Sequence, residues 1–185
     1  MAAFYFDLAS PLAYLAAERV LHELPGPAEW RPVLASGLAG GGEPTSVGDD
    51  QRAEIERRTR ELGLQPLRWP EPFPFDSSLA MRVATYAASI GRAVPFAQAA
   101  FRQAFAGGHS LADPDFVLIA AAACEMHPTA VLRGAQLRAT AERLAASTAA
   151  AADAGVSDVP AVVVGGRVFN GEDLLACAAR HMRAQ

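Results

Sequence analysis

Apolar residues follow three different patterns along this chain, and each predicts a different kind of structure. Ala3 to Leu8 (AFYFDL) is short and aromatic and runs straight into Ser10-Pro11. That combination predicts a buried strand delivered directly into a helix start. The serine side chain can satisfy free N–H groups of the first turn, and proline suits the first helical position. Leu12, Leu15, Val20, Leu21 and Leu24 give the helix a broad apolar face up to about Leu24, where Pro25-Gly26-Pro27 stops it. A second strand over about Glu29 to Leu34 completes a βαβ unit, which should cross over right-handed with parallel strands.

The middle of the chain reads differently. A glycine-rich loop from Ala35 to Gly48 leads into a strongly charged helix, DDQRAEIERRTRELGL, whose polar surface is expected to be solvated. Pro66 to Pro74 (PLRWPEPFP) must be extended and reads as a connector across the surface. From Ser77 to Ala152 the spacing predicts helices near 77–90, 94–106, 114–126 and 129–152. Their core positions would be Leu79, Val83, Tyr86, Ile90, Phe101, Phe105, Phe116, Ile119, Leu132, Leu137 and Leu144. At the end, Val159-Pro160 precedes the apolar run Ala161 to Val164, and Gly165-Gly166 turns the chain back into Arg167 to Asn170. Gly171-Glu172-Asp173 opens a final helix to about Met182, with both acids in its first turn.

A βαβ unit and a ββα unit separated by helices form one four-stranded mixed sheet if the halves pair. The expected fold is α/β. The chain then reads as one domain over 1–185, with a sheet-bearing core from 1–48 and 153–185 and an all-helical insertion over 49–152.

Composition removes several functions. The net charge of −4 offers no basic stripe for a phosphate backbone, so no nucleic-acid partner is expected. No apolar run approaches a membrane span, and MAAFYFDL lacks the features of a signal peptide, so the protein is expected to be cytoplasmic and without a membrane partner. All sixteen basic residues are arginine, and the absence of lysine excludes a Schiff-base enzyme and a P-loop. His22, His109, His127 and His181 are scattered, and no metal is expected. Cys124 and Cys177 lie in alanine-rich stretches far from any CxxC spacing and read as small buried hydrophobes.

The segments FYFDLASPLAYLA and GVSDVPAVVVGGRVFNGEDLL resemble the DsbA-like branch of the thioredoxin superfamily. Within it they are similar to 2-hydroxychromene-2-carboxylate isomerases and kappa-class glutathione transferases. The resemblance implies a thioredoxin-like fold and places Ser10 and Ala13 where redox relatives carry the cysteines of C-P-x-C, so no disulfide can form there. It further implies a thiol-dependent isomerase or transferase acting on a small-molecule substrate from aromatic degradation. Ser10 would be the catalytic residue, its hydroxyl donating to the thiolate of glutathione or another low-molecular-weight thiol. Val159 and a cis Pro160 would bind the thiol's peptide backbone, and Glu172 and Asp173 its γ-glutamyl end. A homodimer paired through the helical region is also compatible with the resemblance.

Val47, Asp50 and Asp76 stand where relatives have a lysine, a tyrosine and an asparagine. A ligand carboxylate must therefore be met by an arginine or by backbone N–H groups. Two alternatives stay open: a redox-inactive peptide-binding module, and an atypical oxidoreductase carrying mixed disulfides on Cys124 or Cys177.

Overall fold

The computed structural model describes residues 1–40 and 47–185; part of the expected 35–48 loop lies outside them. Strand β1 (Ala2–Phe6) is buried along its whole length. This is why its sequence shows no polar alternation: both faces of the strand are covered. Helix α1 (Pro11–Ala17) follows, then a short α2 (Val20–Glu23), and β2 (Ala28–Pro32) lies parallel to β1 with Phe4 opposite Trp30. The expected single helix to Leu24 is interrupted at Glu18 and Arg19. Its apolar face is also narrower than expected, because Leu12 and Leu21 are exposed.

Strands β3 (Ala161–Val164) and β4 (Arg167–Phe169) form the hairpin expected at the end of the chain. Gly165 and Gly166 take φ of 57° and 80°, the paired left-handed conformation that a tight two-residue hairpin requires. β3 pairs antiparallel with β1, giving the strand order β2-β1-β3-β4.

Between the two halves lie α3 (Asp49–Glu61), α4 (Ser78–Ser89), α5 (Ala93–Phe101), α6 (Pro114–Ala122), α7 (Pro128–Gln136) and α8 (Arg138–Asp153). A π-helical turn over Arg102–Ala106 extends α5. The helix expected over 129–152 is split at Leu137, which is extended at φ −62°, ψ 133°. No proline or glycine marks this break. Its cause is tertiary: α7 packs on α4 and α6, whereas α8 changes direction to pack on α4 and also reach β2. Ile90, Ile119 and Leu137, all expected in the core, are exposed.

One face of the sheet carries Phe4, Phe6 and Trp30, whose rings meet edge-on or stacked within 5.9 Å and continue into Phe101 of α5. Each such ring contributes about 1.5–3 kcal/mol by burial. The other face carries Ala3 and Tyr5 against Val33, Val156, Val159 and Ala161. No helix among the described residues is long and apolar enough to cross a membrane.

The α4–α7 contact depends on Gly134, where a Cβ would lie 2.3 Å from the Tyr86 ring. Gly134→Ala is therefore expected to destabilise the protein by about 1–3 kcal/mol through overpacking. Urea denaturation with an unchanged slope measures this, and an unaltered midpoint would contradict the contact.

Candidate active site

The β1–β3 register brings the two ends of the chain to one end of the sheet. Tyr5 lies opposite Ala161 in an antiparallel pair, so the residues that leave β1 and those that enter β3 are neighbours. Leaving β1 are Asp7 and then Ser10; entering β3 are Val159 and Pro160. The Val159-Pro160 peptide bond is cis, as are Glu71-Pro72 and Phe73-Pro74.

Ser10 is the N-cap of α1: its Oγ accepts from the Ala13 N–H at 3.1 Å, and its own N–H donates to the Asp7 carbonyl at 3.0 Å. Accepting leaves the hydroxyl proton available for donation. The cap and a thiolate-directed donor are therefore compatible in one residue.

A cavity of about 430 Å³ opens between α1, the Val159-Pro160 turn and the segment before the last helix, α9 (Leu174–Arg183). Leu12, Leu15 and Ala16 form its apolar wall, and Arg19 and Arg58 bring positive charge to it. Val159, Pro160 and Glu172 line it; Ser10 and Asp173 do not.

Three expectations are corrected by this geometry. Glu172 and Asp173 are not in the first turn of α9. Gly171, at φ 79°, turns the chain before the helix, and Asp173 is its N-cap residue without a side-chain cap bond. The Val159 N–H is not free, because the Asp158 carboxylate accepts from it at 2.7 Å. The charged helix α3 is more than a solvated face. Ile55 and Thr59 are buried, and the Trp69 indole N–H donates to Glu56 at 2.7 Å. Arg52 stacks 4.8 Å above the Trp69 ring, and Arg58 donates to Glu172 at 3.1 Å. The proline-rich connector is pinned as well, with Pro70 buried and the Arg68 N–H donating to the Phe105 carbonyl at 2.7 Å.

Sequence reading missed two residues of this region. Arg58 was indistinguishable from the other arginines of α3 until the cavity showed which one faces it. Asp7 was read as part of a strand, yet it is a buried carboxylate accepting from the Ala9 N–H at 3.0 Å and the Ala35 N–H at 2.9 Å. Burial pushes its carboxyl above the usual carboxylate range, with these hydrogen bonds and the nearby Ser77 hydroxyl pulling the other way. A polar residue at the end of an otherwise apolar run was the available signal.

The cysteines lie apart from this cavity. Cys124 is buried in the turn after α6, and burial pushes its thiol up. Cys177, on α9, is only half-buried, unlike the expectation, and accepts from Arg180 at 3.1 Å. Among the described residues no group of three or more histidine, cysteine, aspartate or glutamate side chains could hold a metal ion.

A parallel β1–β2 pair joined through helices, an antiparallel hairpin on its other side and a serine-capped helix facing a cis-proline turn define a thioredoxin-like fold. The chain belongs to the DSBA-like thioredoxin domain family, whose model matches residues 2–183. Its structure is similar to that of a 2-hydroxychromene-2-carboxylate isomerase (TM-score 0.84, 21% identity, covering 99% of this chain and 94% of that one). It is also similar to a probable DsbA oxidoreductase from Streptomyces coelicolor (TM-score 0.78, 19% identity, 99% and 88% covered). A third similar structure is the cytosolic disulfide reductase DsbM from Pseudomonas aeruginosa with GSH (TM-score 0.64, 15% identity, 98% of each chain covered). No curated protein matches the sequence.

Burial separates the two thiols. Cys177 is expected to react with a thiol reagent in the native protein and Cys124 only after unfolding. Stopped-flow titration with and without denaturant checks this, and two equally fast native thiols would contradict it.

Proposed function

We propose that this protein is a thiol-dependent isomerase or transferase of the 2-hydroxychromene-2-carboxylate isomerase type. In this reading it uses glutathione or a related low-molecular-weight thiol held between the Ser10 turn and the Val159-Pro160 turn. The observation that carries the reading is the cavity bounded by α1 and that turn, with Arg58 facing it in a chain that has no lysine. Its volume of about 430 Å³ falls within the roughly 300–1,000 Å³ usual for small-molecule sites. Ser10 and Ala13 supply no disulfide, which favours a non-redox use of the fold.

The residues present suit a peptide-like thiol. Arg58 is the carboxylate partner, releasing Glu172, which is then free to meet an ammonium group. The backbone at Val159 offers strand-like pairing once the Asp158 carboxylate gives up the N–H. Ser10 donates a hydrogen bond from its hydroxyl to the sulfur and makes no covalent attack. A thiolate held there would supply reversible addition to a conjugated double bond, which would permit rotation about the resulting single bond, with elimination returning the same thiolate. Leu12, Leu15 and Ala16 give the substrate an apolar surface and limit water at that wall.

A peptide-binding module remains the second reading; it too needs the Asp158 carboxylate to give up the Val159 N–H, and the arginine-bearing cavity of small-molecule size favours the thiol over a longer peptide. The oxidoreductase reading would need a thiol at the cavity, where neither cysteine lies.

A ligand at a hundred times its dissociation constant adds about 2.7 kcal/mol of stability. Thermal shifts with glutathione and mycothiol are therefore expected to show an increase for at least one of them. Arg58→Ala should weaken that binding about tenfold or more, since a charge-assisted hydrogen bond is worth about 1.5–3 kcal/mol. Ser10→Asp keeps a capping oxygen while repelling a thiolate. It is expected to preserve the fold and to lower isomerase turnover of 2-hydroxychromene-2-carboxylate about a hundredfold, the usual effect of removing one stabilising donor. Unchanged turnover in Ser10→Asp would sink the proposal.

A further inference from the structure

We propose that Asp7 is a positioning residue: its buried side chain clamps the Ser10 turn to the segment after β2, and that segment straps the Val159-Pro160 turn to the same clamp.

Asp7 makes its bonds in three directions. Its carbonyl accepts from the Ser10 N–H at 3.0 Å, Oδ1 from the Ala9 N–H at 3.0 Å and Oδ2 from the Ala35 N–H at 2.9 Å. The Ser77 side chain at the start of α4 lies nearby and favours the charged form of the carboxylate. No arginine or histidine pairs with the carboxylate among the described residues.

The strap, residues 33–40, is anchored along its length. The Val33 N–H donates to the Phe6 carbonyl at 3.1 Å, the Leu34 N–H to Thr148 Oγ1 of α8 at 3.0 Å, and the Gly40 N–H to the Ser157 carbonyl at 2.6 Å. Two of its glycines mark close approach. A Cβ at Gly37 would lie 2.7 Å from the Thr148 Cγ2, and one at Gly40 would lie 2.8 Å from the Ser157 carbonyl oxygen. The far end of the strap therefore holds the backbone three residues before Pro160, and its near end is gripped by the side chain three residues before Ser10. The two turns share a hydrogen-bonded tie in addition to the β1–β3 ladder.

Burying a carboxyl without a cation in this place works against stability as pH rises. Burial outweighs its hydrogen bonds and raises its pKa, and the nearby Asp76 charge acts in the same direction. A folded pKa above the unfolded one means that the protonated form favours folding. That contribution is complete below the unfolded value of about 4 and is lost as pH rises through the folded value. Near neutral pH, then, Asp7 is retained at a cost in stability, which a residue serving only the core would not impose.

Asp7→Asn has the same shape, no charge and one carbonyl acceptor in place of two. It is expected to keep or raise Tm at pH 7, with the difference from wild type narrowing as pH falls toward 4. Hydrogen exchange should quicken about tenfold at the Ala35 and Gly40 amides while the β1 and β3 amides stay protected. Glutathione or mycothiol affinity should fall about tenfold, an arm that rests on the thiol-site reading. Gly40→Ala, which leaves Asp7 intact and crowds the Ser157 carbonyl, should loosen the same amides from the other end. A lower Tm with exchange accelerated evenly over the sheet would make Asp7 merely structural and overturn the proposal, as would unchanged exchange at Ala35 and Gly40 in Asp7→Asn. If wild type binds neither thiol, the thiol reading fails, and the exchange measurement still decides the role of Asp7.

Discussion

The antiparallel pairing of β1 with β3 is the contact on which the rest of the molecule depends. It joins Ala3, Phe4 and Tyr5 to Val163, Val162 and Ala161, strands from opposite ends of the chain. Closing so long a loop is entropically costly, and the cost is offset because β1 is buried on both faces and β3 at every position but the partly buried Val163. A one-residue slip would move Phe4 and Phe6 from the aromatic cluster to the side now holding Ala3 and Tyr5. The register is thus set by side-chain volume, and with it the meeting of the Ser10 and Val159-Pro160 turns.

The helical segment contributes more to the site than a cover. α3 brings Arg58 to the cavity, and α8 supplies Thr148 to hold the backbone at Leu34. Packing also accounts for the break at Leu137, since α7 and α8 share α4 but differ in their second neighbour, α6 for one and β2 for the other. Charge around the cavity is largely paired within the chain. Arg58 holds Glu172, Arg19 holds Glu23 at 2.6 Å, and Asp158 holds the Val159 N–H. A ligand entering here exchanges existing partners for its own, so affinity depends on differences between similar interactions. Asp7 stands apart because its hydrogen-bond partners among the described residues are backbone N–H groups, with no cation among them.

Local chemistry explains what was legible from the residues alone. Ser10-Pro11 capped a helix as expected because a side-chain oxygen and a fixed φ act within one turn. Gly165-Gly166 made the hairpin because few other residues tolerate two successive left-handed conformations. The apolar runs of β1 and β3 announced buried strands, and their resemblance to DsbA-like segments extended to the sheet that joins them.

Tertiary structure alone decided the rest. Which arginine of α3 faces the cavity depends on how that helix is rotated against α1. That Glu172 and Asp173 precede α9 depends on the turn at Gly171. The occupied Val159 N–H and the three N–H groups that converge on Asp7 arise from atoms brought together by folding. Capping, turn and burial preferences act over a few residues and can be read along a chain. Pairing between distant charges and donors is set by the packing of whole elements, which no local pattern records.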